Sequence, residues 1–415
     1  MKKILFFIRN FANYDHLAPI IVELSKTKRI NILIVYCDSL YDYNNDPHHI
    51  LFSKFDNIKI INTVSFLKKN LSFLNIATTL TERVHHLIKS EFLFKILLKL
   101  QTFQKFNVEK TLKSKIIQSL NEPVLGIFDY SKSDFISSIK ETIYREKGVC
   151  VNIPHWVWIW QNKLRCNDML SFNKDNPYEY GSFDHRDICI VENKKSVEIL
   201  KELKVSPRKI IFLGSARFSQ NWVLKKNELL NEKKIKISNN KSIKILFLCP
   251  KIWDNIFWDE LIRSVNLISN VKNAKLIIQY HPNVKYPSLK KLSQNILDKN
   301  NVFISSNDFS TSQLISWSDV VFNINTTVFF EALIKNKLLV NLNHLHINQF
   351  YFKNKKYYYE TINRDELVEI LSNIRKLINK NKKSKNLRDF FNSTIYNKNK
   401  NPNKVIANYL LNLSK

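Results

Sequence analysis

A chain of 415 residues, 44% hydrophobic and 12% aromatic, is too apolar for disorder and long for one core, so two globular domains facing a cleft are expected. Its 65 basic and 36 acidic residues give a formal charge of +29, which raises nucleic acid or an anionic membrane as a partner. The abundance of Lys, Asn, Ile and Phe beside only 4 glycines reads better as a genomic bias, and no helix-turn-helix, zinc-finger or RNP-like pattern turns the charge into base readout, so nucleic acid is not the expected partner.

In chain order, the opening Met-Lys-Lys-Ile-Leu-Phe-Phe-Ile has too short an apolar run for a secretory signal and reads as a first strand over residues 3–8. Residues 9–19 form a loop into a helix over 18–26, and a strand follows at 30–37 and another at 58–61. Residues 83–120 are basic and amphipathic, a pattern that suits either a solvated helix or contact with anionic lipid. Strands at 124–128, 149–153 and 188–191 continue the rhythm of a parallel α/β sheet. The segment 226–242 is rich in Lys and Asn and reads as a linker, after which strands recur at 243–249, 276–280, 302–305, 320–324 and 338–342. The expected organisation is a first domain over 1–225, the linker, a second domain over 243–395, and a C-terminal helix in 396–415 returning to the first domain. The five cysteines (Cys37, Cys150, Cys166, Cys189, Cys249) lack CxxC spacing and read as small buried residues, not as a disulfide framework or a zinc site. No run of about 18 apolar residues occurs, and the chain is expected in the cytoplasm.

Two motifs in the second half point to an anionic ligand. In Leu276-Ile-Ile-Gln-Tyr-His281-Pro282 a buried strand ends on a histidine that the proline biases towards extended backbone, so the imidazole is free to meet a phosphate; alone, this is more often an ordinary turn. In Asp319-Val-Val-Phe-Asn-Ile-Asn-Thr326-Thr327-Val-Phe-Phe-Glu331 a strand, a polar turn and a helix follow one another. Here Thr326 or Thr327 would cap the helix over a phosphate, and Glu331 would accept from ribose hydroxyls. A plain N-cap and a surface glutamate remain the alternative.

These motifs in this order resemble bacterial sialyltransferases, capsule Kdo-transferases and polyglycerol-phosphate transferases of the GT-B fold. The turn Gly214-Ser215-Ala-Arg217 is similar to one that surface-carbohydrate GT-B enzymes carry before the linker. The resemblance implies two Rossmann-like domains and a cytidine-activated donor, with His281 on the donor phosphate and Thr326 and Thr327 holding phosphate or nucleotide. The chain departs from it in having Thr-Thr for the usual Ser pair, and in lacking the acidic triplet that supplies the sialyltransferase base.

The segment Arg9 to Pro19 resembles the Gly-His-x-x-Pro loop of many GT-B enzymes without its glycines, and places Asp15 and His16 as candidates for the catalytic base; Asp15 as a mere helix cap is the alternative. Asp129, at the end of a core strand, is the other candidate. His155, beside Trp156, Trp158 and Trp160, is an acceptor-side candidate, although such tryptophans are more often packed. Lys251 and Arg217 offer cations for a leaving phosphate, so no metal or other cofactor is required. The expected function is transfer of a sugar, favoured as CMP-activated over UDP- or GDP-activated, to a surface glycan or lipid-linked acceptor. A nucleotide-sugar 2-epimerase or hydrolase on the same fold, or a non-catalytic basic binding protein, are the rivals.

Overall fold

The computed structural model describes residues 2–9, 11–36, 46–61, 124–129, 134–153, 160–161, 185–202, 204–231, 235, 242–250, 256–280, 299–305, 309–324, 326–350, 357–381, 387–398 and 401–414. Short runs rich in Ile, Val, Leu and Phe, buried on both faces, form two parallel sheets with helices packed on them. The first sheet contains β1 (Lys2–Ile8), β2 (Ile30–Tyr36), β3 (Ile58–Ile61), β4 (Leu125–Phe128) and β5 (Val149–Asn152). After a short outlying strand, β6 (Trp160–Gln161), it is completed by β7 (Ile188–Val191) and β8 (Ile210–Phe212), in the order β3-β2-β1-β4-β5-β7-β8. The second sheet contains β9 (Ile243–Leu248), β10 (Ala274–Gln279), β11 (Val302–Ser305), β12 (Val320–Asn323) and β13 (Leu338–Asn341). A two-residue strand, β14 (Gln349–Phe350), stands outside it, and β15 (Tyr359–Glu360) closes the order β11-β10-β9-β12-β13-β15.

Both orders reverse beside their first strand: β1 lies between β2 and β4, and β9 between β10 and β12. At such a reversal the connections leave in opposite directions and open a crevice outside the carboxyl ends of the strands, where α/β sheets hold ligands. Antiparallel pairing of β6 with β14 ties the segment that follows β5 to the segment that follows β13, so the carboxyl edges of the two sheets face one gap.

Two chain crossings join the lobes. The helix Gln220–Leu229 is shared: Trp222 packs in the first core with Ala216 and Leu230, while Val223 packs in the second with Phe218. The helix Arg388–Thr394 belongs to the second core through Phe390 and Phe391, and the chain then returns to the first lobe. There the helix Pro402–Leu413 lies on the helix Phe11–Ser25 and adds Ile406, Ala407 and Leu410 to the core. The two crossings touch: the Ser215 N–H donates to the Ile395 carbonyl at 2.7 Å, the Tyr396 hydroxyl to the Phe218 carbonyl at 2.8 Å, and the Asn397 amide to the Phe212 carbonyl at 2.8 Å. Gly214 makes this approach. Its φ is +93°, and a Cβ there would lie 2.9 Å from the Ile395 oxygen.

Two boundaries differ from the sequence reading. The first helix begins at Phe11, not at Ala18, and carries Pro19 in its interior, because Tyr14, Leu17, Ala18, Ile20 and Ile21 all find core on the way. The helix Gln220–Leu229 runs through the start of the polar segment read as linker, and Lys226 is buried within it. The basic stretch 83–120 lies outside the described residues. Among the described residues no helix is long and apolar enough to cross a membrane.

Candidate active site

The crevice of the first lobe is bounded by the Phe11–Ser25 helix after β1 and by Asp129 after β4. Asn13 binds them together. Its Nδ2 donates to Asp129 Oδ2 at 2.7 Å, and its Oδ1 accepts from the Arg9 N–H at 3.0 Å. Asp129 and His16 are both buried at the carboxyl edge of the sheet, His16 one helical turn beyond Asn13. The sequence places both among the base candidates, and the hydrogen bond across β1 and β4 joins the two stretches that carry them.

Asp15, the third candidate, is put to another use. It is 2% exposed and lies inside the helix rather than on a loop, with Arg217 Nε 2.9 Å from Oδ2, an ion pair from Lys226 to Oδ1, and His48 Nε2 3.9 Å from Oδ1. Burial by itself would raise its pKa, but the charges of Lys226, Arg217 and His48 outweigh burial and hold the carboxyl far below the usual carboxylate range. A group that gives up its proton so readily and is fully engaged by cations is a poor proton acceptor at neutral pH. Asp15 thus stands as an internal counter-ion, a setting that does not favour the base role expected for it. Nor does it cap the helix, which begins four residues earlier.

Sequence reading missed two of its partners. His48 is fully buried at the start of the helix Pro47–Phe52, donating through Nδ1 to Asp46 Oδ1 at 2.9 Å and stacking on Tyr14 at 5.5 Å. Asp-Pro-His-His at 46–49 was a legible signal, since Asp46 N-caps this helix and Pro47 opens it. Lys226 left no such signal, because one lysine among many has no pattern of its own.

On the second lobe the turn after β12 carries Thr326 and Thr327, and the helix that follows, Phe329–Ile334, has six residues with Val328 at its N-cap. The threonines thus precede the cap instead of forming it: the Val328 N–H reaches Thr326 Oγ1 at 3.4 Å, and the Thr326 and Thr327 carbonyls accept the first helical N–H groups. Thr326 Oγ1 thus meets one N–H at the helix start, while Val328 holds the N-cap position that the sequence reading gave to a threonine. Glu331 is likewise not a surface residue but is 4% exposed, with Lys335 Nζ 2.9 Å from its Oε1. Burial would raise its pKa, and Lys226 and Lys335 reverse the effect and keep it ionised. Asn323 and Asn341, at the ends of β12 and β13, are joined by a 3.0 Å amide hydrogen bond beneath this turn.

Gly214 and Ser215, expected at the donor, form the contact between the two chain crossings, and Arg217 is 2.9 Å from Asp15. His155, Lys251, His281 and Pro282 lie outside the described residues. The buried cysteines Cys150 and Cys189 are free thiols, and burial pushes Cys189 up to about 12, an inert state. A surface cavity of about 650 Å³ lined by Ile243, Leu267, Val271, Val368 and Leu371 opens at the amino end of β9, the opposite end of the strand from this site.

Two Rossmann-like lobes with switch points facing one gap define the GT-B architecture. No protein-family model matches the sequence, and no curated protein matches it. Among solved structures, the chain is similar in fold to a UDP-GlcNAc 2-epimerase from Methanocaldococcus jannaschii, with a TM-score of 0.61 at 12% identity, covering 99% of this chain and 100% of that one. The UDP-GlcNAc 2-epimerase from Neisseria meningitidis bound to UDP-GlcNAc gives 0.57 at 15% identity over 99% and 100%. A glycotransferase of kitacinnamycin gives 0.52 at 9% identity over 100% and 99%. At these identities the likeness establishes the fold, one shared by epimerases and glycosyltransferases.

Proposed function

We propose that the chain is a nucleotide-sugar-dependent glycosyltransferase, in which the second lobe holds the donor beside Thr326 and Thr327 and the first lobe presents the acceptor to Asp129. The observation that carries this reading is that the candidate groups of both lobes lie at the two switch points, Asn13 and Asp129 across β1 and β4 and the Thr326 turn beside β9, on edges that face one gap. Asp129 takes the acceptor proton in place of Asp15, because Asp15 is neutralised by Arg217 and Lys226 while Asp129 is oriented by the neutral Asn13 amide. The motif resemblance ranks cytidine donors first, whereas the UDP-GlcNAc-bound relative in fold keeps uridine donors in the comparison.

A second reading, acceptor-independent 2-epimerisation of a nucleotide sugar, is favoured by the higher fold similarity to the 2-epimerases. One experiment separates them. Nucleotides are first ranked by thermal shift with CMP, CDP, UDP and GDP, since a ligand of the folded state raises the melting temperature by mass action. The matching nucleotide sugar is then incubated with and without glycan acceptors. Nucleotide release that requires an acceptor supports transfer, and conversion of the sugar without one supports epimerisation. Asp129→Asn should lower turnover about 100- to 10,000-fold while leaving the thermal shift intact; unchanged turnover removes Asp129 from the chemistry.

A further inference from the structure

Lys226 is buried in the helix that both lobes share, a second cation on Asp15 beside Arg217. Asp15 already faces Arg217 at 2.9 Å and Glu331 already faces Lys335 at 2.9 Å, so each carboxylate has its own cation and each pair is neutral. Burying a further ammonium is costly unless it gains compensating contacts. Lys226 obtains them from both sides, through an ion pair with Asp15 in the first lobe and through the field of Glu331 in the second, and the two carboxylates together hold its pKa up against the burial that would lower it.

The next residue ties the helix to the second lobe. Asn227 Oδ1 accepts from Ser312 Oγ at 2.7 Å and its Nδ2 donates to Ser316 Oγ at 2.8 Å, and Lys335 Nζ reaches Ser312 Oγ at 2.7 Å and Ser316 Oγ at 2.9 Å. The shared helix is thus pinned to the helix Thr311–Trp317 of the second lobe by Asn227, and to the helix bearing His16 in the first lobe by Lys226.

We propose that Lys226 is a positioning residue that couples the two faces of the cleft, fixing the His16–Asp129 edge of the first lobe relative to the Thr326–Glu331 edge of the second. It touches no reacting group. It acts through Asp15, one residue before His16, and through the shared helix, which Asn227 holds to Ser312 and Ser316 of the second lobe. The proposal rests on the reading of the cleft given above only for its catalytic consequence, because the coupling itself is measurable without a substrate.

The test uses the full chain with Cys37, Cys166 and Cys249 replaced by serine and spin labels at Lys54→Cys and Lys376→Cys, exposed positions on opposite lobes. Distance distributions are recorded by electron–electron double resonance for Lys226, Lys226→Met and Lys226→Arg. Lys226→Met leaves the Asp15–Arg217 and Glu331–Lys335 pairs intact, so it strands no buried carboxylate and the lobes should still fold, as read by circular dichroism. The expected result is a single narrow distribution for the wild type and for Lys226→Arg, and a broadened or displaced one for Lys226→Met. An unchanged distribution in folded Lys226→Met overturns the proposal. Should that variant fail to fold, Lys226→Gln, which removes the charge, keeps a polar side chain and also leaves both other pairs in place, takes its place; broadening there sustains the coupling, and a wild-type distribution refutes it. With the donor identified, Lys226→Met should lower kcat about 100-fold, the scale of an ångström of misplacement, with nucleotide affinity unchanged. If no nucleotide binds even the wild type, the functional reading fails while the distance measurement still decides the coupling.

Discussion

Asp15 shows how far a single residue can be read from sequence. Its position before His16 suggested chemistry, and the type of residue gave no hint that Arg217 and Lys226, two hundred positions away, would neutralise it. Asp129 could be singled out because the ends of core strands are legible, and His16 by its motif, whereas Asn13, which ties Asp129 to the helix that carries His16, offered only an ordinary amide. The ion pairs yield a stability prediction. Asp15→Asn leaves the buried Lys226 and the half-buried Arg217 without their shared carboxylate and should destabilise the chain by about 3–5 kcal/mol at pH 7 in denaturant titration. The sign with pH follows from the depressed folded-state pKa: the contribution is present above the unfolded value, about 3.9, and is lost as pH falls below it. The gap between wild type and variant should therefore narrow on going from pH 6 to pH 3. A gap that stays constant over that range would mean that Asp15 is not held ionised by its neighbours.

At the scale of elements, the strands were the most legible part, because short runs dominated by Ile, Val, Leu and Phe between polar turns leave little freedom in where a strand lies: β3, β7 and β11 coincide with the sequence reading, although β3 and β11 are only partly buried. Helix starts were less so. The sequence reading began the first helix at Ala18, yet the helix starts at Phe11 and tolerates Pro19, whose missing N–H leaves the Asp15 carbonyl without its usual donor. The polar segment after Leu229 was visible, but the burial of Lys226 ahead of it was not, since a lysine in a Lys- and Asn-rich stretch reads as solvated until its partners are known. The turn at Gly214 belongs to this scale too. Gly214→Ala forces a side chain into a left-handed backbone against the Ile395 carbonyl and should cost about 1–3 kcal/mol in urea unfolding. Ser310→Ala, which removes one half of the capping box with Gln313, should cost about 1 kcal/mol. A larger loss for the cap than for the glycine would show that the crossing is less tightly packed than its hydrogen bonds imply.

Over the whole molecule, the two-lobed α/β plan was readable from the recurrence of strand and helix patterns, while the pairing of β6 with β14 was not, since two-residue strands have no periodicity. The return of the chain to its first lobe has a measurable weight. Removing residues 402–415 takes Ile406 and Leu410 out of the first core, at about 1.5–3 kcal/mol each, a large share of an ordinary domain's stability. Calorimetry of the truncated chain should show the first lobe melting early or already unfolded while the second retains its transition; a wild-type trace would place the helix outside the first core. The same connectivity has a consequence for biosynthesis. A ribosome adding about 5–20 residues per second delivers β8, the last strand of the first sheet, roughly 190 residues before the helix that packs on Phe11–Ser25, so the first lobe waits roughly 10–40 s for its last element. During that interval the face of the Phe11–Ser25 helix that Ile406, Ala407 and Leu410 later cover stands open, and the nascent first lobe is the part of this protein with most need of a chaperone.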